Sequence, residues 1–389
     1  GGFPHRAVDA KAPSHMAGTP SDAFFDSVLR ALPEVDYAVA YGSGVFPQEG
    51  GFPQEEGAVA PPTAVAPADT MVDFLLAVSD PLGWHAANLR LNGSHYSALG
   101  ALGPRAVTAV QRCGGGRVYF NTLVPHSSSS PPLARVTGAA TGAAARVHSE
   151  HRLIKYGVID LAHLRADLLG WETLYVSGRL HKPVRTLVHC AKLEPALRAN
   201  QKAALAAGLL SLPARFTERE LYSAIASLSY AGDVRMGIAE DPRKVEKLVL
   251  PPDSFAKFGG LYAHLLATDA PGVARGAVGG EWTQCTGAAT TAARLCVVPP
   301  RVRAHVLAND PRVGPLAADA LLCAGARPTA ALEAAVARTD RASVQLALRT
   351  VLAQTVRSAS VVQSLKGLLT AGAAKSALYV ARKLRKARG

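Results

Sequence analysis

The run MVDFLLAV at residues 71–78 is apolar at every position except Asp73. A short apolar run of this kind reads as a strand built for burial. An ionised carboxylate inside such a strand is costly unless it is paired or bound to a metal. The plain alternative is an aspartate at the strand edge, reaching solvent or an arginine. The chain must therefore build a sheet and, at one position of it, accommodate a charge.

The neighbouring segments suggest what that charge serves. A helix is expected to begin near Ser21, with Asp22 close behind, and a strand to run over residues 37–41. The sequence YGSGVFPQ follows directly at 41–48. Gly42 and Gly44 allow backbone N–H groups to approach a phosphate, and a helix N-terminus after them would add a favourable dipole. An ordinary tight turn explains the same residues. Two well-known glycine loops are excluded: Pro47 stands where a dinucleotide fingerprint needs its third glycine, and no Gly-Lys-Ser/Thr ending is present.

Residues 49–69, rich in Pro, Ala, Gly and Glu, read as an inserted loop in which FPQEG (46–50) is echoed by FPQEEG (52–57). Further strands are expected at 118–124 and 155–159, separated by a second insertion near 126–148, and a helix from 161 to about 169. These elements make residues 21–190 one domain. From 193 the character turns helical. Thr217-Glu218 offers an N-cap, and 193–265 reads as a small second domain. Residues 267–340, of which 267–300 are low in complexity, read as an insertion and linker. Strands mixed with helices, followed by helices, predict an α+β protein with a mixed-sheet domain and a helical appendage.

The formal charge of +13 points to an anionic partner: nucleic acid, anionic lipid or a polyphosphate. Residues 341–389 carry ten Lys or Arg and no Asp or Glu. Within them Leu365, Leu368, Leu369, Leu378, Val380 and Leu384 alternate with Lys366, Lys375, Arg382, Lys383, Arg385 and Lys386 at roughly helical spacing. That is the composition of an interfacial helix drawn to anionic lipid. Five scattered cysteines without CxxC spacing read as reduced, buried structural thiols.

YGSGVFPQ (41–48), VDFLLAV (72–78), WHAANLRLNGSHYS (84–97), VYFNTLV (118–124), KYGVI (155–159), LYVSGRLHKPV (174–184), ASLSYAGDVRM (226–236) and SLKGLLTAGAAKS (364–376) occur in this order. In these motifs the chain resembles the mitochondrial CDP-diacylglycerol synthases of the translocator-assembly-and-maintenance type. The resemblance implies a nucleotidyltransferase-fold domain, a winged-helix-like second domain and a C-terminal amphipathic membrane-binding helix. It implies a magnesium-dependent transfer from CTP to phosphatidic acid, releasing pyrophosphate, on the matrix side of the mitochondrial inner membrane, with no nucleic-acid partner. Two alternatives are a nucleotidyltransferase acting on RNA and a non-enzymatic assembly factor of an inner-membrane translocase.

Carried onto the matching positions, the resemblance gives Gly42, Ser43 and Gly44 to the CTP phosphates and Asp73 to Mg²⁺. Lys155, Arg179 and Lys182 would neutralise the triphosphate, with Asp73, Lys155 and Lys182 as the catalytic set. Ser229, Tyr230 and Arg235 would close over the nucleotide. His85, Asn88 and Asp233 would serve substrate or structure, and Lys375, Arg382, Lys383, Arg385 and Lys386 the membrane. One departure stands out. The superfamily's second strand carboxylate, two residues on, is Leu75 here, and the next acid, Asp80, falls beyond the strand.

Overall fold

The computed structural model describes residues 21–46, 71–128, 150–236, 241, 243–276, 280–308 and 328–371. Its first unit is a five-stranded sheet in the order β3-β4-β2-β1-β5, with β1 Tyr37–Tyr41, β2 Val72–Val78, β3 Val118–Ser128, β4 Glu150–Asp160 and β5 Arg185–Val188. β2 and β4 are parallel and the other pairs antiparallel, so the sheet is mixed.

Alternation along the strands sends side chains to two apolar layers. Phe74, Leu76, Ile154, Tyr156 and Val158 join Phe24, Phe25 and Val28 of α1 (Asp22–Arg30) and Trp84 of α2 (Pro81–Asn92). Val39, Leu75, Ala77, Phe120 and Ile159 face the opposite way, against Leu164 and Leu168 of α4 (Leu161–Gly170). Both faces are covered, which explains why β2 is apolar almost throughout. A third helix on the first face, α3 (Gly103–Arg112), packs beside α2. The expected helix start is met in detail, as the Ser21 side chain caps α1 by accepting from Phe24 N.

The second unit begins with α5 (Glu194–Ser211). It continues through β6 (Arg215–Thr217), α6 (Glu218–Ser227), α7 (Lys244–Val249), α8 (Pro252–Thr268), β7 (Val273–Arg275), β8 (Glu281–Gln284), α9 (Ala288–Val297), α10 (Pro300–Ala308), α11 (Ala330–Arg338) and α12 (Arg341–Ala371). Thr217 and Glu220 form a reciprocal capping box at the start of α6, an arrangement that stabilises a helix by about 1 kcal/mol.

Three expectations are corrected here. Residues 267–340 are not an insertion and linker where they are described: β7 and β8 complete a three-stranded sheet with β6. Leu295, Val302 and Leu332 lie in the same core as Leu221, Phe258 and Leu348. The low-complexity composition concealed this because alanine and threonine serve a helix core as well as a linker. Nor is the chain from 341 a membrane-binding amphipathic tail throughout. Val344, Leu348, Val351 and Leu352 of α12 are buried, and so is Lys366, which donates to Gln111 O at 2.9 Å and Gly114 O at 3.3 Å, capping the end of α3. Lys375, Arg382, Lys383, Arg385 and Lys386 lie outside the described residues. Finally, Cys113 and Cys285 are exposed rather than buried.

Candidate active site

Asp73 lies on β2 directly between Tyr41 of β1 and Lys155 of β4, its register partners on either side. All three therefore point to one face of the sheet, at the end of β1 where the chain leaves into the glycine loop. Lys155 Nζ is 3.7 Å from Asp73 Oδ1 and 4.5 Å from the centre of the Phe120 ring. The aspartate in an apolar strand is thus half-buried and paired.

The glycine loop closes over this carboxylate. Gly42 has φ +86°, and a Cβ there would lie 3.1 Å from Asp73 Oδ2. A Cβ on Gly44 would lie 2.4 Å from Met71 O, a distance no side chain tolerates. Both positions thus exclude any larger residue, one by backbone conformation and one by contact. Val45 N and Phe46 N fold back onto Gly42 O at 3.1 Å and 3.0 Å. Ser43 sits between them at the turn.

The segment 171–184 carries the remaining cations, and a single buried side chain shapes it. Asp167, at the end of α4, accepts from Thr173 N (2.8 Å), Thr173 Oγ1 (2.8 Å), Leu174 N (3.2 Å), Val176 N (3.2 Å) and Ser177 N (2.9 Å). Asn200 of α5 holds the other side, accepting from Trp171 Nε1 at 2.8 Å and donating to Ser177 O at 3.0 Å. His181 Nε2 meets the same Asn200 oxygen at 3.0 Å. Burial holds His181 down at about 3, so it is neutral at physiological pH.

On this scaffold Arg179 lies over the Tyr41 ring at 4.8 Å and donates to Pro183 O at 2.8 Å. Lys182 is buried. Its ammonium donates to Ser229 Oγ at 2.5 Å and lies 4.1 Å from the centre of the Tyr230 ring, whose other cationic neighbour is Lys244 at 5.4 Å. Burial, then Arg179 and Lys244, push Lys182 well below the ordinary lysine value. Burial also lowers Arg179, which the carboxylate of Asp73 and the phenols of Tyr230 and Tyr41 partly offset. Cations gathered this closely with so little acid among them form a concentrated positive field, suited to a polyanion.

The structure brings together Gly42, Ser43, Gly44, Asp73, Lys155, Arg179, Lys182, Ser229 and Tyr230. The remaining expected residues are engaged with partners of their own, although Asp233 and Arg235 are near enough to act on the charge of Lys182. Arg235 is held by its own neighbour Asp233, with Nε to Oδ1 at 2.9 Å and Nη2 to Oδ2 at 2.7 Å. This bidentate pair braces the turn at Gly232 against α12. His85 and Asn88 lie on the opposite face of the sheet, on the side of Tyr156 rather than Lys155. His85 meets Tyr96 OH at 2.9 Å and Gln111 Oε1 at 2.7 Å, and Asn88 donates to Tyr96 OH and Tyr156 OH at 2.9 and 3.0 Å. A neutral imidazole satisfies both of its contacts, and burial lowers His85 to about 4. Asp80, beyond β2, caps α2 by accepting from Gly83 N and does not join Asp73.

Three participants escaped the sequence reading: Asp167, Asn200 and Lys244. An aspartate three residues from the end of the apolar helix LAHLRADLLG was the available signal for the first. The other two carried none.

Known proteins resemble this chain over most of its length. Residues 25–386 match the profile of the family described as phosphatidate cytidylyltransferase, mitochondrial. A Xenopus laevis protein of that description is 37% identical over 367 residues, covering 93% of this chain and 94% of its own length. Its Danio rerio counterpart is 35% identical over 371 residues, covering 94% and 95%, and that of Bos taurus is 35% identical over 371 residues, also covering 94% and 95%.

Proposed function

We propose a function from a plain premise: the chain belongs to the mitochondrial phosphatidate cytidylyltransferase family. It transfers the cytidylyl group of CTP to phosphatidic acid, forming CDP-diacylglycerol and releasing pyrophosphate, the step that feeds cardiolipin and phosphatidylglycerol synthesis. The observation that carries this reading is the alignment of Tyr41, Asp73 and Lys155 on three adjacent strands, beneath the Gly42–Gly44 turn and beside Arg179 and Lys182.

In the reaction an oxygen of the lipid phosphate forms a bond to the α-phosphorus of CTP, and the bond from that phosphorus to the bridging oxygen breaks. A phosphate monoester is already largely dianionic at neutral pH, so the attacking oxygen needs no general base. Backbone N–H groups of the Gly42–Gly44 turn hold the triphosphate. Lys155, Arg179 and Lys182 offset the charge that gathers on the departing pyrophosphate. The triphosphate in turn favours the protonated form of Lys182, so a cation whose burial is costly is matched when substrate is present.

Magnesium fits the donor set. Among the described residues no three His, Cys, Asp or Glu side chains cluster to hold a metal. Asp73 alone suits an ion bound by one carboxylate together with substrate phosphates and water, which is the usual manner of Mg²⁺ at nucleotides. When bound, the ion neutralises charge on the leaving group and orients the phosphates.

The mixed five-stranded sheet with helices on both faces supports a nucleotidyltransferase plan for the first unit. The second, with helix, strand, two or three helices and then a β-hairpin, follows that of a winged helix, the sheet order β6-β8-β7 supporting the comparison. No helix among the described residues is long and apolar enough to cross a membrane. In this reading the enzyme works peripherally at the matrix face of the inner membrane, and the basic composition of the segment after residue 371 supports anionic lipid rather than nucleic acid as its surface partner. CTP-dependent pyrophosphate release, with and without phosphatidic acid vesicles, tests the whole reading. Release must require the lipid; release without it, or none with it, contradicts the assignment.

A further inference from the structure

The segment 171–184, which carries Arg179 and Lys182, does not rest on Asp167 and Asn200 alone. It also meets a turn of three glycines, Gly114–Gly116, between α3 and β3. A Cβ on Gly116 would lie 2.4 Å from Tyr175 Cδ1 and 2.6 Å from its Cγ. The φ of Gly116 is not in the left-handed region, so the ring, rather than the backbone, demands a glycine here. Next along the chain, Arg117 Nη1 donates to Glu172 Oε2 at 2.9 Å. The Tyr175 ring meets Phe120 edge-on at 6.3 Å, and Phe120 lies under the ammonium of Lys155. The glycine turn is therefore a backing for the segment that carries the cations.

The turn is itself fixed by α12. Gln363 is 5% exposed. Its Oε1 accepts from Gly116 N at 3.1 Å and its Nε2 donates to Val118 O at 3.2 Å. One side chain thus ties the turn to the first residue of β3. A Cβ on Gly115 would lie 3.0 Å from Gln363 N, so the turn lies directly against the helix. One helical turn further on, Lys366 donates to Gly114 O. The same helix begins in the core of the second unit, where Val344, Leu348 and Val351 are buried. A helix anchored in one unit thereby holds backbone of the other, immediately behind Tyr175.

We infer that Gln363 is a positioning residue for the transfer: through the Gly114–Gly116 turn and Tyr175 it sets where Arg179 and Lys182 meet the triphosphate. The inference rests on the functional reading above. Gln363 acts on backbone and not on substrate. Without its amide, Gly116 N loses its acceptor, and a run of glycines has no side chains of its own to hold it in place.

The test uses the full chain with Gln363→Leu, Gly116→Ala and Val351→Ala, titrating CTP at saturating dihexanoyl phosphatidate and the lipid at saturating CTP. Gln363→Leu removes both hydrogen bonds with a side chain of similar size. Gly116→Ala displaces the Tyr175 ring without touching α12, and carries the test should the first variant not fold. Each raises the KM for CTP about tenfold, as for one lost contact to a charged group, and the KM for the lipid less. In each, hydrogen exchange quickens at the amides of Thr173, Leu174, Val176 and Ser177, which Asp167 holds. Val351→Ala leaves a cavity in the second unit and lowers the unfolding midpoint, but keeps the parental KM for CTP and the parental exchange. A merely structural Gln363 would reduce the amount of folded enzyme, and so the apparent kcat, with the KM for CTP and the exchange at 173–177 unchanged. That result overturns the proposal, and so does an equal rise in KM for CTP in Val351→Ala, which would reflect general loosening of α12. A parent chain that makes no CDP-diacylglycerol would instead overturn the functional reading, whereas the exchange measurement judges the coupling from α12 to the segment by itself.

Discussion

Lys182 and Ser229 join the two units of the protein through a hydrogen bond of 2.5 Å, with the lysine buried and cationic neighbours on two sides. Burying a cation this way destabilises a fold unless an anion completes the site. Lys182→Met should therefore raise the thermal midpoint by a few degrees, on the order of 1 kcal/mol, and lower turnover about a hundredfold. Differential scanning calorimetry and a turnover assay check the two directions together. A variant that is both less stable and fully active would remove Lys182 from the site.

Asp167 makes five hydrogen bonds to the segment that carries Arg179 and Lys182. Asp167→Asn turns an NH₂ group toward N–H donors, leaving buried groups unsatisfied. The expected cost is about 3 kcal/mol, read as a lower urea midpoint, with CTP affinity falling as the segment loosens. Unchanged affinity would show that the segment holds its shape without this carboxylate.

Two buried histidines set the acid limit of stability. His85 is lowered to about 4 and His181 to about 3, below the ordinary histidine value of 6.5. Between 6.5 and these values the unfolded chain binds protons that the folded chain does not, so stability is full above about pH 6.5 and declines as pH falls toward 4. His85→Gln should flatten part of that slope in denaturant titrations at several pH values, whatever its effect at neutral pH. An unaltered slope would mean that His85 is protonated in the fold.

The basic segment beyond α12 is expected to serve the membrane and not the chemistry. Arg382, Lys383, Arg385 and Lys386 changed together to Gln should weaken co-sedimentation with anionic vesicles, since each charge contributes on the order of 1 kcal/mol near such a surface. The loss should be greater at low ionic strength, with CTP affinity in solution unchanged. Equal vesicle binding by variant and parent would contradict this role, as would a loss of CTP affinity.

The local parts of the fold were legible. β1, β2 and α1, the N-cap of α6 and the charge in β2 follow from apolar runs and caps that act within a few residues. The long-range parts were not. Nothing near residue 155 marks Lys155 as the parallel neighbour of Asp73, because pairing is decided by packing across the whole sheet. Asp167 and Asn200 look like ordinary helix residues until the segment they hold is folded against them. His85 and Asn88, three residues apart, share one face of α2, but alternation in β4 decides which side of the sheet that face meets. Lys366 shows the opposite failure: in sequence it belongs to a basic stripe, yet in the structure it caps α3. Leu365 and Leu369 beside it remain exposed.

The central claim is that Asp73 serves the transfer from CTP to phosphatidic acid. Its most direct measurement compares the parent with Asp73→Asn, following formation of CDP-diacylglycerol and pyrophosphate from CTP, Mg²⁺ and phosphatidic acid vesicles. The substitution keeps size and hydrogen bonding and removes the charge that would bind the ion. The account predicts equal amounts of both products from the parent, and from the variant a rate lower by about three orders of magnitude with an unchanged fold by circular dichroism. A correctly folded variant with near-parental rate would contradict it.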